Sequence, residues 1–97
     1  MLFLVISDPK PQRPTSVAAD RQDLWTWIQP LVDTGHVRSM HAKVGRGAAV
    51  MFSVDDNETL HRDLNEWADI IPAHFDIHPM IEPSKAKEHL ALQRARA

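Results

Sequence analysis

The stretch AAVMFSVDDNETLHRDLNEWADIIP, residues 48–72, decides the fold class. Ala48 to Val54 is a short, mostly apolar run and reads as a buried strand. Asp56 then offers a carboxylate to the free N–H groups of a helix start. Leu60, Leu64, Trp67 and Ile71 follow at i, i+4, i+7 and i+11, the apolar stripe of an amphipathic helix. Pro72 ends that helix, because proline has no amide hydrogen and crowds the turn before it.

Working towards the N-terminus, Gly45-Arg46-Gly47 reads as a turn, and Val37 to Gly45 alternates as a strand. Its pattern puts Val37, Ser39, His41 and Lys43 on one face, and Arg38, Met40, Ala42 and Val44 on the other. Together with residues 48–54 it makes a hairpin. Thr34-Gly35 closes an earlier helix, with Gly35 as a left-handed cap. Val17, Arg21, Leu24, Trp25, Ile28, Leu31 and Val32 recur at helical spacing, and Thr15 or Ser16 is placed to cap them. Pro30 predicts a kink or an end near Trp27 to Gln29. Asp8 to Pro14 holds three prolines and reads as a loop, and Met1 to Ser7 is a first strand.

Beyond Pro72, Phe75 to Ile81 alternates as a last strand, with His74, Asp76, His78 and Met80 set against Phe75, Ile77 and Ile81. Pro79 cannot donate to a ladder, which favours a sheet edge. Ser84 is placed to cap a tail helix that docks through Leu90 and Leu92. The order is βαββαβ, with a domain over residues 1–83 and a helical tail over 84–97. Two helices on one face of the sheet leave the other face bare, and a second copy packed sheet to sheet is the economical cover.

Composition narrows the function classes. The 97 residues amount to one domain, 43% hydrophobic, with a formal net charge of −2. No global basic field exists to hold nucleic acid, and the one basic run, Lys85 to Arg96, reads as a solvated helix face. There is no cysteine, which excludes disulfides, thiolate chemistry and cysteine-based metal sites. The apolar start is too short to span a bilayer and lacks the pattern of a signal peptide, so a cytoplasmic location is expected.

The chain resembles the muconolactone delta-isomerase family. The likeness rests on Met1-Leu2-Phe3-Leu4-Val5, Thr34-Gly35-His36-Val37, Val44-Gly45, the run from Phe52 to His61, Pro72, and Asp76-Ile77. It covers residues 1 to about 82 and is strongest from Gly35 to Ile77. The resemblance implies a ferredoxin-like protomer of the dimeric α/β barrel type that pairs through its sheets, often in larger rings. It also implies a cofactor-free reaction that moves a proton within a small unsaturated lactone acid in aromatic compound metabolism. Related members eliminate chloride from chlorinated muconolactones. The family's adjacent Glu-Lys pair, about three turns before the glycine matching Gly35, is here Leu24-Trp25. The pair before the family's Val-Gly is here His41-Ala42. The stretch before the last strand is Pro72-Ala73-His74-Phe75, and the acidic residue after Asp-Ile is His78.

With that Glu-Lys pair replaced, the six histidines are the remaining acid/base candidates near neutral pH. The polar faces of the two edge strands are expected to line a cavity with His41, Lys43, His74, Asp76 and His78. His41 and His78 would exchange protons, Asp76 would fix a tautomer, and Lys43 would hold an enolate or carboxylate oxygen. Leu4, Ile6, Leu24, Trp25, His61 and His74 are the expected substrate contacts. Trp25 and Trp27 point in different directions, so one is expected in the core and the other at a pocket mouth or interface. Trp67 belongs to the core stripe, and His36 and His89 are expected at the surface. His74-Asp76-His78 alternate with a spacing that could hold a metal given a further ligand, but neither a metal nor haem is expected. Three functions stay open: a cofactor-free isomerase-like enzyme, a cofactor-free oxygenase or cyclase on an aromatic polyketide-like substrate, and a non-catalytic small-molecule binder.

Overall fold

In a computed structural model, which describes residues 1–96, the Asp56 carboxylate accepts from both the Thr59 amide and the Thr59 hydroxyl at 2.8 Å. That cap starts the helix called α2, Asn57–Ile70. Leu60, Leu64, Trp67 and Ile71 are all buried, as their spacing predicts. The other elements are β1 (Leu2–Pro9), α1 (Ala18–Asp33), β2 (Val37–Ala42), β3 (Ala48–Ser53), β4 (Ala73–Met80) and α3 (Pro83–Arg96). A single 3-10 turn over Pro14–Val17 leads into α1.

The four strands form one antiparallel sheet in the order β2-β3-β1-β4. β2 and β4 are its edges, and Pro79 sits on an edge strand. This is the ferredoxin-like α+β arrangement with an added C-terminal helix. α1 and α2 cover one face, where Phe3, Val5, Val50 and Phe52 pack under Ile28 and Trp67. Trp67 is the hub of that core. Its ring lies 5.0 Å from Phe75, 6.4 Å from Phe52 and 6.5 Å from Trp27, centroid to centroid. Tilted aromatic contacts of this kind add to the area that the rings remove from water.

Several local expectations are corrected. α1 runs through Pro30 to Asp33 without ending near Trp27 to Gln29. Pro30 removes the amide that would bond the Thr26 carbonyl one turn back, and the helix continues past it, with the Pro30 carbonyl accepting from the Thr34 amide at 3.1 Å and the Thr34 hydroxyl at 3.0 Å. Neither Thr15 nor Ser16 caps α1, because the 3-10 turn intervenes and the Ser16 hydroxyl bonds back to the Arg13 carbonyl. Gly35 does take the left-handed conformation, at φ 80°.

β2 carries a bulge between Val37 and Ser39. The inserted Arg38 switches the faces, so Val37 lies beneath the helices with Phe52, while Ser39 and His41 turn to the bare side. The four-residue run Val37, Ser39, His41 and Lys43 therefore does not share one face.

The C-terminal helix also departs from expectation. It begins at Pro83, and the amides of Lys85 and Ala86 reach the Glu82 carbonyl, so Ser84 lies inside it. Leu90 and Leu92 do not dock on the body; they are 58% and 55% exposed, and no residue of α3 is buried.

Candidate functional site

Strand pairing sorts the candidate residues onto opposite sides of the sheet. In an antiparallel ladder, directly paired residues share a face. His41, Ala49, Ile6 and Asp76 form one row on the bare side, and Ser39, Met51, Leu4 and His78 form the next. His74 follows beside Asp8. His74 and Asp76 lie 3.4 Å apart as an exposed pair. His41 and Asp76 stand at opposite edges, three strand spacings or about 14 Å apart. The apolar middle of this face is Leu2, Leu4, Ile6, Ala49 and Met51, all half-buried.

Lys43 leaves that group. It follows β2, its amide bonds to the Gly47 carbonyl at 2.9 Å, and its ammonium donates to the Ser7 carbonyl at 3.0 Å. Its side chain thus serves the helix-covered side of the sheet. There it lines a recess of about 70 Å³ between the ends of β1 and β3, the hairpin turn, α1 and α2. That volume is room for a few water molecules.

The floor of the recess is Ser7, Ala42 and Ala48. Ser7 is buried, and its hydroxyl both accepts from the Ala48 amide at 2.9 Å and donates to the Ala48 carbonyl at 3.4 Å. It is therefore fully engaged as a structural clip. Leu24, Trp25, Trp67 and Ile71 form the walls. Trp25 is 46% exposed, so it stands at the opening, while Trp27 packs against the core. This is the division expected of two tryptophans two positions apart on one helix.

Three cations border the recess: Arg21 from α1, Lys43 after β2 and Arg46 in the turn. No carboxylate or histidine is among its lining residues. Lys43 is anchored on the Ser7 carbonyl and Arg46 on the Lys10 carbonyl at 3.0 Å, which fixes two of the charges. Arg21 has no ion-pair partner among the described residues. The turn is held close to β1, because a Cβ on Gly47 would lie 2.5 Å from the Ser7 carbonyl oxygen. Gly47 also has φ 105°, which side chains rarely adopt.

The expected substrate contacts therefore divide. Leu24 and Trp25 line the recess, whereas Leu4, Ile6 and His74 face the opposite side of the sheet. His61 belongs to neither. It is exposed on α2 beside Asn65, whose amide nitrogen lies 3.3 Å from the ring. It borders a shallow outer groove with Arg62, Glu66 and Asp69. Among the described residues no cluster of three or more metal-ligating side chains occurs, so His74, Asp76 and His78 do not converge as one.

Sequence reasoning missed two features. Arg21 and Arg46 are recess residues, and only their positions near Leu24 and in the turn after Lys43 hinted at it. His36, expected at the surface, instead pairs through Nε2 with Asp63 of α2, whose side chain is 1% exposed. The signal was Asp63 itself, a carboxylate one position before Leu64 of the apolar stripe.

The chain belongs to the family described as Domain of unknown function (DUF3303), whose family model matches residues 1–93. No curated protein matches the sequence. Among solved structures it is similar to the 5-chloro-2-hydroxyhydroquinone dehydrochlorinase TftG from Burkholderia phenoliruptrix AC1100, in complex with 2,5-dihydroxybenzoquinone. The two share 12% identity with a TM-score of 0.71, over 88% of this chain and 98% of that one. At that identity the likeness establishes a shared fold.

Proposed function

We propose that this DUF3303 protein binds a small aromatic-derived organic anion at the mouth of the recess beneath α1, with the anionic oxygens in the recess and the ring at the opening against Trp25, and acts on it without a bound cofactor. The observation that carries the reading is the lining: three cations and two tryptophans, with no carboxylate or histidine. Cations around an apolar wall favour a planar molecule with a carboxylate, phenolate or enolate oxygen. The chemistry that suits this site is intramolecular proton transfer next to a carbonyl. When a proton leaves carbon, negative charge gathers on oxygen, and Lys43 and Arg21 stabilise that oxyanion more than the neutral carbonyl. A donor placed in this way contributes about 10²–10³ in rate. The recess holds no base of its own, so water at its open side carries the proton from one carbon to the other. The solved complex of TftG with a dihydroxybenzoquinone supports this substrate class by fold analogy.

His41, Asp76 and His78 face the other side of the sheet, so the proton transfer is not routed through them. We assign that face to a homodimer packed sheet to sheet, because a half-buried apolar stripe with polar edges needs cover.

Calorimetric titration with 2,5-dihydroxybenzoquinone and with benzoate tests the recess. Saturable binding is expected, weakened about tenfold or more by Arg21→Gln and abolished by Leu24→Glu, which puts a carboxylate among the cations. Binding that Leu24→Glu leaves unchanged, or no binding at millimolar anion, refutes the reading. Deuterium uptake at carbon of a bound lactone acid, followed by NMR, tests the proton transfer.

A further inference from the structure

The recess beneath α1 holds more positive charge than one anionic group needs. Arg21, Lys43 and Arg46 all line it, and none of the three has an ion-pair partner among the described residues. The chain carries 13 Asp and Glu residues, yet no carboxylate lines this space. Lys43 and Arg46 are half-buried, whereas Arg21 is exposed. A half-buried cation has lost part of its water, and a neutral carbonyl offsets only part of that loss. Three like charges around one small space also repel each other.

We infer, resting on the anion reading proposed above, that the ligand of the recess is a vicinal dianion: a planar ring with two acidic groups on neighbouring carbons, as in an aromatic 1,2-dicarboxylate. Two of the cations share one wall, since Lys43 and Arg46 both belong to the hairpin between β2 and β3. The Lys43 ammonium is tied to the Ser7 carbonyl and an Arg46 Nη to the Lys10 carbonyl, each at 3.0 Å. Each bond uses one N–H, which leaves two on the ammonium and four on the guanidinium. Donors held in this way are preorganised for an anion.

Arg21 belongs to the wall formed by α1, one turn before Trp25 on the same helix face. A carboxylate set against the hairpin wall leaves Arg21 without a counter-charge, and a second acidic group beside the first supplies one. Two resident charges against three cations still leave the site net positive, as the oxyanion of a proton transfer requires.

The size of the recess fixes where the two groups sit on the ring. A volume of about 70 Å³ admits the oxygens of two adjacent groups and excludes the ring itself. Trp25, 46% exposed, offers its face to that ring at the opening. Groups on neighbouring carbons then both point inward. A group at the far end of the ring points to solvent, where a charge gains little. Placement, and not charge alone, therefore decides affinity.

Calorimetric titration at about pH 8, where every carboxyl is ionised, compares benzene-1,2-dicarboxylate with benzoate and with benzene-1,4-dicarboxylate. The 1,2-isomer should bind at least tenfold more tightly than either, because a second charge-assisted contact forms only with it. Benzoate reports on the recess itself, and the 1,4-isomer matches the charge of the 1,2-isomer with one group turned outward. Arg46→Gln keeps a donor for the Lys10 carbonyl and removes one charge. It should bring the 1,2-dicarboxylate and benzoate affinities to within about threefold of each other. Arg13→Gln removes the same charge outside the recess and should leave the preference as it was. Saturable benzoate binding with less than about threefold preference for the 1,2-isomer overturns the dianion and leaves the recess reading intact. Equal affinity for the two dicarboxylates overturns the neighbouring placement. A preference that Arg46→Gln leaves unchanged overturns the role given to the hairpin wall. Failure of all three anions to bind at millimolar concentration overturns the recess reading and the dianion with it.

Discussion

Replacing His36 by alanine removes the main partner of the most buried carboxylate in the protein. Asp63 is 1% exposed, and its Oδ2 pairs with the His36 ring. The other oxygen has only Arg62 at 3.5 Å, through a guanidinium that is largely in solvent. Breaking a buried ion pair from one side costs about 3–5 kcal/mol, because the stranded charge keeps its desolvation penalty. Here His36 is 21% exposed, and Arg62 with entering water recovers part of the loss. The expected cost of His36→Ala is therefore about 2–3 kcal/mol. A domain of this length has roughly 5–15 kcal/mol to lose. The midpoint of thermal unfolding should fall by about 10–20 °C. Asp63→Asn keeps the shape and one acceptor while removing the charge, so about 1 kcal/mol is expected. The double variant should cost clearly less than the sum, since the alanine no longer strands a charge. Urea unfolding at one fixed protein concentration measures all three, which matters if assembly adds to stability. A loss below about 0.5 kcal/mol for His36→Ala, or strict additivity, would falsify the view that this pair locks α2 to the entry of β2.

Asp56 gives an acid-side prediction. Its carboxyl is held below the ordinary carboxylate value, first by the bond from the Thr59 amide and then by the Thr59 hydroxyl. The unfolded chain therefore binds the proton more readily. Stability is fully present above the ordinary value and is lost as pH falls through the lower folded one. Urea midpoints between about pH 5 and pH 2 should fall less steeply for Asp56→Asn, which caps without titrating; parallel curves would contradict this. At Gly47, an alanine meets the Ser7 carbonyl oxygen at 2.5 Å and an unfavourable φ together. Gly47→Ala should destabilise by more than about 2 kcal/mol and loosen the recess, while Gly45→Ala, with open space around it, should cost about 1 kcal/mol. Equal effects by chemical denaturation would show that the close approach of turn and strand is unimportant.

The elements whose signal is local were legible in the sequence. The α2 stripe and the Asp56 cap need only residues within four positions of each other, so spacing alone specifies them. Strand order was likewise constrained, because a βαββαβ chain has few ways to cover one face. The failures sit where a distant partner decides the outcome. Pro30 should end a helix by its own chemistry, but Leu31 to Asp33 continue past it and the Pro30 carbonyl accepts from both the amide and the hydroxyl of Thr34. The bulge at Arg38 is invisible to strict alternation, and a single inserted residue moved Val37 into the core while leaving Ser39 and His41 outside.

A separate local event, the end of β2, parts the residues expected in one cavity. Counting by twos put Lys43 beside His41, yet β2 ends at Ala42 and the Lys43 ammonium reaches the Ser7 carbonyl on the helix-covered side. Two groups expected in one cavity are thereby divided by the thickness of a sheet: cations with Leu24 and Trp25 on one side, His41 with Asp76 and His78 on the other. The division has a chemical consequence. A proton-transfer site needs a base and an oxyanion partner within reach of one substrate, and in the proposed reading the protein supplies only the second, so the base enters as solvent at the open side of the recess. In the proposed reading the recess supplies the oxyanion partner, while the histidines lie on the bare face assigned to a second copy of the chain. Substrate binding and assembly are therefore separable. Placing a carboxylate at His41 or an ammonium at Asp76 should alter assembly while leaving anion affinity in the recess within about twofold, and placing a carboxylate at Leu24 should do the opposite.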